Sequence, residues 1–312
     1  MTKTVATALG LWGMENATWR LIAARENRVY RVDSEGQSFA LRLHRPEYRT
    51  DDELWSELEW MKAMADGGLH VPVPVPSGAG QYMCVVDGIQ IDVLTWLSGA
   101  PIGKTGEDLQ VADRGGLFFR IGREMARLHD LSDAWTPPEN FTRCRWDRRG
   151  LVGDAPLWGR FWDNPTLSDE DRQLFLRVRD HANARLEKAE DSLDFGLIHA
   201  DLVRENVMAD GDRLQFIDFD DAGFGFRVFD LATTLIKNMP EPDYSQLRDA
   251  LIEGYRSHRP IDTGMLDFFI LLRALTYVGW IITRMDEDGA KMRNQRFVET
   301  AGKLVEKALI LP

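Results

Sequence analysis

The character of the chain changes once, at Gly99-Ala100-Pro101, and that change limits the folds open to it. Before it, short and partly alternating apolar runs at residues 19–24, 29–33 and 39–43 are separated by polar or glycine-containing breaks, the pattern of strands. Ser34-Glu35-Gly36-Gln37 predicts a hairpin turn between the second and third runs. A helix starts at Thr50 or Asp51, carries an acidic first turn, repeats Leu54, Leu58 and Met61 at helical spacing and stops at Gly67-Gly68. Val71-Pro72-Val73-Pro74-Val75-Pro76 must be extended, because each proline pushes its predecessor out of the helical region. Two more strands follow near residues 81–86 and 89–95.

After the break, helical patterns dominate, at about residues 113–129, 169–190, 227–238, 244–257, 264–285 and 293–309. One β-rich island, residues 195–219, interrupts them, with Asp210-Gly211-Asp212 as a hairpin turn. The expectation is an α+β chain with a small β-rich lobe (1–97), a larger mainly helical lobe (98–312) and a connector near residues 96–101. Junctions of this kind commonly hold nucleotides.

A formal net charge of −12 argues against non-specific nucleic-acid binding, which needs a basic footprint. Cys84 and Cys144 show no metal-ligand spacing and fit a reducing compartment. The N-terminus has no basic region followed by a long apolar core, as a secretory leader would. The most apolar stretch, residues 268–282, is interrupted by Arg273 and is shorter than the roughly 18–20 residues that span a bilayer, so it reads as a buried helix. The expected location is cytoplasmic, with no membrane and no nucleic-acid partner.

The island contains Leu197-Ile198-His199-Ala200-Asp201-Leu202-Val203-Arg204-Glu205-Asn206-Val207, followed by Phe216-Ile217-Asp218-Phe219-Asp220. Phosphoryl transfer from ATP needs few protein groups, and this stretch supplies several of them. Asp201, at the start of a loop after a short apolar strand, suits a carboxylate that orients an attacking hydroxyl and takes its proton. Asn206 and Asp218 offer oxygens to Mg2+, a hard cation, and a hairpin between them brings both to one end. His199 is expected to pack beneath the loop and tie down its backbone. Asp and Asn are also common turn residues, but the strand before, the hairpin after and the β-rich lobe upstream favour chemistry.

In these segments the chain resembles the aminoglycoside phosphotransferase and choline kinase family, which shares the protein-kinase fold, and within it the branch of type II homoserine kinases and stress response kinase A. Further matching pieces are residues 26–32, 40–46, 56–59 and 126–129, and Phe229-Asp230-Leu231-Ala232. The resemblance implies Asp201 as catalytic base, Asn206 and Asp218 as magnesium ligands, and Asp230 bracing the catalytic loop. It implies ATP as donor and a hydroxyl-bearing small molecule as acceptor, with a protein serine/threonine kinase or a silent nucleotide-binding regulator as alternatives.

Three positions depart from the family pattern. Where a lysine usually holds the α- and β-phosphates stands Arg42, with Glu57 as its expected partner; arginine keeps the charge but changes reach and geometry. The loop Ala24-Arg25-Glu26-Asn27 has no glycine, which leaves Asn27 and backbone N–H groups to face phosphate. Asp220 stands where protein kinases have glycine, as a further metal ligand or a solvated turn residue.

Ser98 to Thr105 imitates a Walker A loop, but Ser98 occupies the first glycine position and Pro101 removes an N–H, so Lys104 reads as a solvated residue. Arg204 is positioned to reach the transferring phosphoryl group. Arg273, Tyr277, Trp280 and Arg284 fall on one helix face, either lining the cleft as an anion- and cation-holding surface or forming a core helix with arginines at its edges. Residues 286–289 and the charged stretch 145–149 read as surface.

Overall fold

The structure is a computed structural model and describes residues 2–24 and 27–310, the last four as backbone. Arg25 and Glu26, in the glycine-free loop, lie outside the described residues. In chain order come α1 (Thr2–Leu11), β1 (Thr18–Ala24), β2 (Arg28–Ser34), β3 (Gln37–Leu43), α2 (Asp51–Asp66), β4 (Met83–Val86), β5 (Ile89–Thr95) and β6 (Ala100–Pro101). Then follow α3 (Arg114–Ala134), β7 (Arg145–Trp146), α4 (Arg148–Val152), α5 (Asp169–Ala189), β8 (Phe195–Ile198), β9 (Val207–Asp210), β10 (Arg213–Phe216) and β11 (Gly223–Phe226). The chain ends with α6 (Arg227–Ile236), α7 (Tyr244–Arg256), α8 (Leu266–Trp280) and α9 (Ala290–Ile310).

The chain forms two compact units. The first comprises the residues up to Pro101 together with Leu131–Arg143 and Asn206–Asp220; the second comprises Ile102–Asp130, Cys144–Glu205 and the residues from Asp221 on. The division expected at 97/98 falls near the end of the first segment, but two later segments cluster with it as well.

In the first unit an antiparallel sheet runs in the order β1-β2-β3-β5-β4. Strand alternation puts Tyr30, Val32, Leu41 and Leu43 on one face, where they bury against Val5, Ala8, Leu9 and Trp12 of the α1 region. That helix is absent from the sequence expectation, and its buried residues at i, i+3 and i+4 are the missed pattern. The opposite face of β3 carries Arg42, which is also buried. α2 begins with a capping box: Thr50 Oγ1 accepts from Glu53 N, and Thr50 N donates to the Glu53 carboxylate. In the Val-Pro repeat only the valines have N–H groups, and they turn to β5, Val73 N donating to Thr95 Oγ1 at 2.9 Å and Val75 N to Val93 O at 2.8 Å.

The expected β-rich island resolves into strands of two sheets. β9 and β10 form a hairpin with β6 in the first unit, while β8 pairs with β11, and β11 with β7, in the second. Half of β11, Gly-Phe-Gly-Phe, is glycine, a residue depleted in strands, and this hid it. Its glycines are required by packing: a Cβ at Gly225 would stand 2.4 Å from Ile198 Cδ1 and 2.9 Å from Trp146 Cβ.

The helical part of the second unit centres on α8, buried from Leu266 to Gly279 except for Asp267 and continued by a 3-10 turn to Arg284. Leu266–Arg284 is 19 residues long and apolar enough to cross a membrane by length and composition, but 78% of it is buried inside the protein. Arg273 sits in its middle, fully buried, not at an edge. α3 and α7 cross with backbones in contact, because Gly122 faces Leu251 O and Gly254 faces Phe119 O.

A Cβ on Gly254 would lie 1.9 Å from Phe119 O. Alanine in place of glycine favours an exposed helix by about 1 kcal/mol, whereas forcing atoms into a packed contact costs about 1–3 kcal/mol. Gly254→Ala is therefore expected to lower stability in urea denaturation; an unchanged or raised midpoint would show that the helices part easily.

Candidate active site

The loop after β8 is built around Asp230 in the first turn of α6. Its fully buried carboxylate accepts from His199 N at 2.9 Å, from Ala200 N at 2.6 Å and from His129 Nε2 at 3.0 Å. Burial alone would push the Asp230 carboxyl up, but the hydrogen bond from His129, with the nearby His199, holds it below its ordinary value. Burial, then the charge of Arg227, brings His129 down to about 4, so its ring is neutral at pH 7. Neutral His129 donates from Nε2 to Asp230 and accepts the Tyr255 hydroxyl at Nδ1, 2.7 Å away. His199, also fully buried, accepts the N–H of Asp201 at Nδ1, 3.3 Å away.

These contacts hold Ala200 in a left-handed conformation, φ 62°, unusual for a residue with a side chain. The next residue is Asp201. Val203 N donates to Asp201 O at 2.8 Å, and Thr234 Oγ1 donates to Leu202 O at 2.9 Å. Asp201 Oδ1 accepts from Arg273 Nη2 at 2.7 Å, and its side chain remains 22% exposed. Burial, helped by the Asp221 and Glu205 carboxylates and opposed by Arg273 and Lys237, brings Asp201 up to about 7. A carboxylate poised there is matched to general-base work near neutrality.

Arg204 does not point a bare fork toward a phosphoryl group. Nε donates to Asn238 Oδ1 at 2.8 Å, Nη1 to Glu107 O at 2.7 Å and Nη2 to Glu241 Oε1 at 2.5 Å, all inside the second unit and 2% exposed. It braces the loop, as does Glu205, which accepts from Thr105 N and Oγ1. Lys104, in the false Walker segment, pairs with Glu107 on the surface.

In the first unit, Asn206 and Asp218 are brought together by the β9–β10 hairpin. Phe216 lies opposite Val207, and Ile217 N donates to Asn206 O at 3.0 Å, so Asp218 is one residue past the last pair. Asp218 is exposed and left-handed, φ 67°. Non-glycine strain of this kind collects at functional sites. Arg143 fixes the following turn, donating from Nη2 to Phe219 O and Asp220 O, while Trp60 packs edge-on against Phe219 at 5.3 Å. Asp220 is 5% exposed, which removes the solvated-turn reading.

Arg42 lies directly opposite Asp92 in the β3–β5 register. Its Nε and Nη2 donate to the two Asp92 oxygens at 2.8 Å, and Nη1 donates to Glu57 Oε1 at 2.8 Å. Three of its five N–H groups are thereby used within the unit, on Asp92 and Glu57, and two remain. His44 Nε2 lies 2.6 Å from Asp92, and Arg143 Nη1 lies 3.4 Å from Glu57. Against the penalty of burial, Arg42 and then His44 hold the Asp92 carboxyl down at about 2, and Arg42 with Arg143 holds Glu57 low. Asn27 Oδ1 accepts from Arg45 N at 3.2 Å, tying the glycine-free loop to the end of β3.

Sequence reasoning missed Asp92, Arg143 and Lys237. An acid between Ile91 and Val93 in an apolar strand was the available sign of the first.

A family model described as phosphotransferase enzyme family matches residues 18–266, most of the chain. The chain belongs to that family. This phosphotransferase is 30% identical over 275 residues to a homoserine kinase of Brucella abortus, covering 83% of this chain and 76% of the relative. It is 25% identical over 292 residues to an amicoumacin kinase of Bacillus subtilis, covering 88% and 83%. It is similar in structure to a microcompartment-associated aminopropanol kinase, with a TM-score of 0.85 and 29% identity over 99% of this chain and 98% of that one. The enzyme is a kinase with an alcohol group as acceptor, in a protein-kinase-like α+β fold.

Removing one partner of a buried ion pair costs about 3–5 kcal/mol, whereas replacing both with apolar groups is often near neutral. Asp92→Leu is thus expected to destabilise the phosphotransferase strongly, and Arg42→Met/Asp92→Leu less than Asp92→Leu alone. Urea denaturation of the double-mutant cycle measures this, and additive losses would mean that the pair is not coupled.

Proposed function

We propose that this phosphotransferase moves the γ-phosphate of ATP, with Mg2+, to the hydroxyl of a small molecule that also carries an amino group. The observation that carries the reading is the Asp201 carboxylate, partly exposed, clamped by Arg273 and standing on a loop anchored by Asp230. The related kinases named for homoserine and aminopropanol support an amine-bearing acceptor.

Asp201 accepts the proton of the acceptor hydroxyl as its oxygen bonds to the γ-phosphorus and the bond from that phosphorus to the bridging β–γ oxygen breaks, releasing ADP. The Asn206 amide oxygen and the Asp218 carboxylate form an all-oxygen donor set that fits a hard divalent cation. When bound there, Mg2+ neutralises phosphate charge. Arg42, with Glu57, and Asn27 are assigned to the nucleotide side; Arg42 retains N–H groups beyond those given to Asp92 and Glu57.

Turnover of ATP and Mg2+ with a panel of hydroxyl-bearing amines and a protein acceptor tests this directly. Asp201→Asn should lose about 10²- to 10⁴-fold in kcat, the usual worth of a general base. Phosphate appearing only on protein, or equal turnover in the variant, would sink the assignment.

The sign of the pH dependence follows from the raised carboxyl. Only ionised Asp201 can take the proton, so on the acid side kcat/KM should fall as pH drops below about 7. A rate flat from pH 5 to 8 would exclude Asp201 as the base.

A further inference from the structure

Beside Asp201 the second unit contains polar groups that the proposed chemistry does not use. Lys237, the C-cap residue of α6, is half-buried and places Nζ 3.7 Å from the centre of the Tyr277 ring and 5.1 Å from that of Phe297. Its ammonium makes no ion pair or hydrogen bond among the described residues, only its backbone N–H being used, by Leu235 O. Arg273 stands over the same Tyr277 ring at 4.5 Å and over Trp158 at 4.2 Å. Only its Nη2 reaches Asp201; Nε and Nη1, with the Tyr277 hydroxyl, are buried and, apart from each other, have no partner of hydrogen-bonding geometry among the described residues.

Buried polar groups without partners are rare and call for an explanation. The guanidinium and the ammonium can only donate, and the tyrosine can donate too, so a ligand that satisfies them presents acceptors. Burial, then the charge of Arg273, brings Lys237 down to about 7, a cost that an arriving anion would relieve. The neighbouring side chains are aromatic: Tyr277 stacks on Phe297 at 5.1 Å, and Trp158 lies 6.1 Å from Trp280. Aromatic surroundings suit an organic acceptor better than a polyphosphate.

We infer that Lys237, backed by Arg273, forms an oxyanion subsite beside the catalytic base, and that the acceptor carries a carboxylate as well as its hydroxyl. This rests on the kinase reading above and narrows its substrate to hydroxy amino acids. Asp221, half-buried near Asp201 and accepting from Trp158 Nε1 at 3.3 Å, supplies the complementary charge for the amino group.

The test uses matched acceptors that differ only by the carboxylate: serine and ethanolamine, threonine and 1-aminopropan-2-ol, homoserine and 3-aminopropan-1-ol. In the best pair, wild type should favour the carboxylated member at least tenfold in kcat/KM. Lys237→Met should bring that ratio toward one, a loss of roughly 10- to 100-fold expected for a charge-assisted hydrogen bond. Lys237→Arg should keep most of the preference, which separates charge from folding, and thermal melts of both variants check the latter. A wild type that prefers the amino alcohols overturns the inference. So does an equal fall in kcat for both members in Lys237→Met, which would assign Lys237 to the transferring phosphoryl group. Phosphorylation of other hydroxyl acceptors but of no pair overturns it while leaving the kinase reading intact; ATP binding with no acceptor phosphorylated removes that reading too.

Discussion

The Asp230 carboxylate is the point on which the loop carrying Asp201 depends. A buried carboxylate is costly unless its lone pairs are used, and here they meet two consecutive backbone N–H groups and a neutral histidine. That demand fixes the path of His199 and Ala200, and Ala200 takes a left-handed conformation that the chain would not otherwise choose. The direction of Asp201 is a consequence. The Asp201 carboxylate, the proposed base, is therefore aimed by a second carboxylate that is itself satisfied in the helical interior by His129, which Tyr255 bonds in turn.

The first unit solves a different problem with similar means. Arg42, Asp92, Glu57, Arg143 and His44 are all buried, with two arginines set against two carboxylates. Such a network contributes little net stability over an apolar core, but its geometry admits few alternatives. The bidentate Arg42–Asp92 pair fixes β3 against β5, the Glu57 contacts fix α2 against both Arg42 and Arg143, and Arg143 reaches the backbone that follows Asp218. An arginine suits this place because its planar fork serves two carboxylates at once, which a lysine ammonium on a flexible stem cannot do with the same directionality.

The main strands and helices were readable because their periodicities are strong and their ends carry caps and glycines, as the Thr50 capping box shows. The loop after β8 and the hairpin between Asn206 and Asp218 were readable because local sequence sets both. What escaped depended on partners distant in the chain. α1 was passed over beside the more obvious strands, and β11 was hidden because its glycines answer to Trp146 and Ile198, not to strand propensity. Arg204 reads as phosphate-facing from the sequence because nothing near it in the chain reveals Asn238 and Glu241. The same holds for Arg42: Glu57 was foreseeable from the family pattern, whereas Asp92, 50 positions away, is visible only in the strand register.

Arg273 illustrates how a core position can become part of a site. An arginine at the centre of an apolar helix needs its charge answered, and two kinds of partner answer it here: aromatic faces on Trp158 and Tyr277, and one carboxylate oxygen of Asp201. Neither uses its remaining donors. Ring faces attract a cation without accepting its hydrogens in a directed way, so a guanidinium packed in this manner is electrostatically content and still short of acceptors. Lys237, over the same Tyr277 ring and within reach of Phe297, is in the same position. Two cations held by rings near the carboxylate of Asp201 keep donors that the rings do not use. The relatives divide on this point: homoserine carries a carboxylate and aminopropanol does not, although both present an amine and a hydroxyl. A fold shared with both cannot choose between them; side chains that lack only hydrogen-bond acceptors can, and the inferred oxyanion subsite is the reading in which they do.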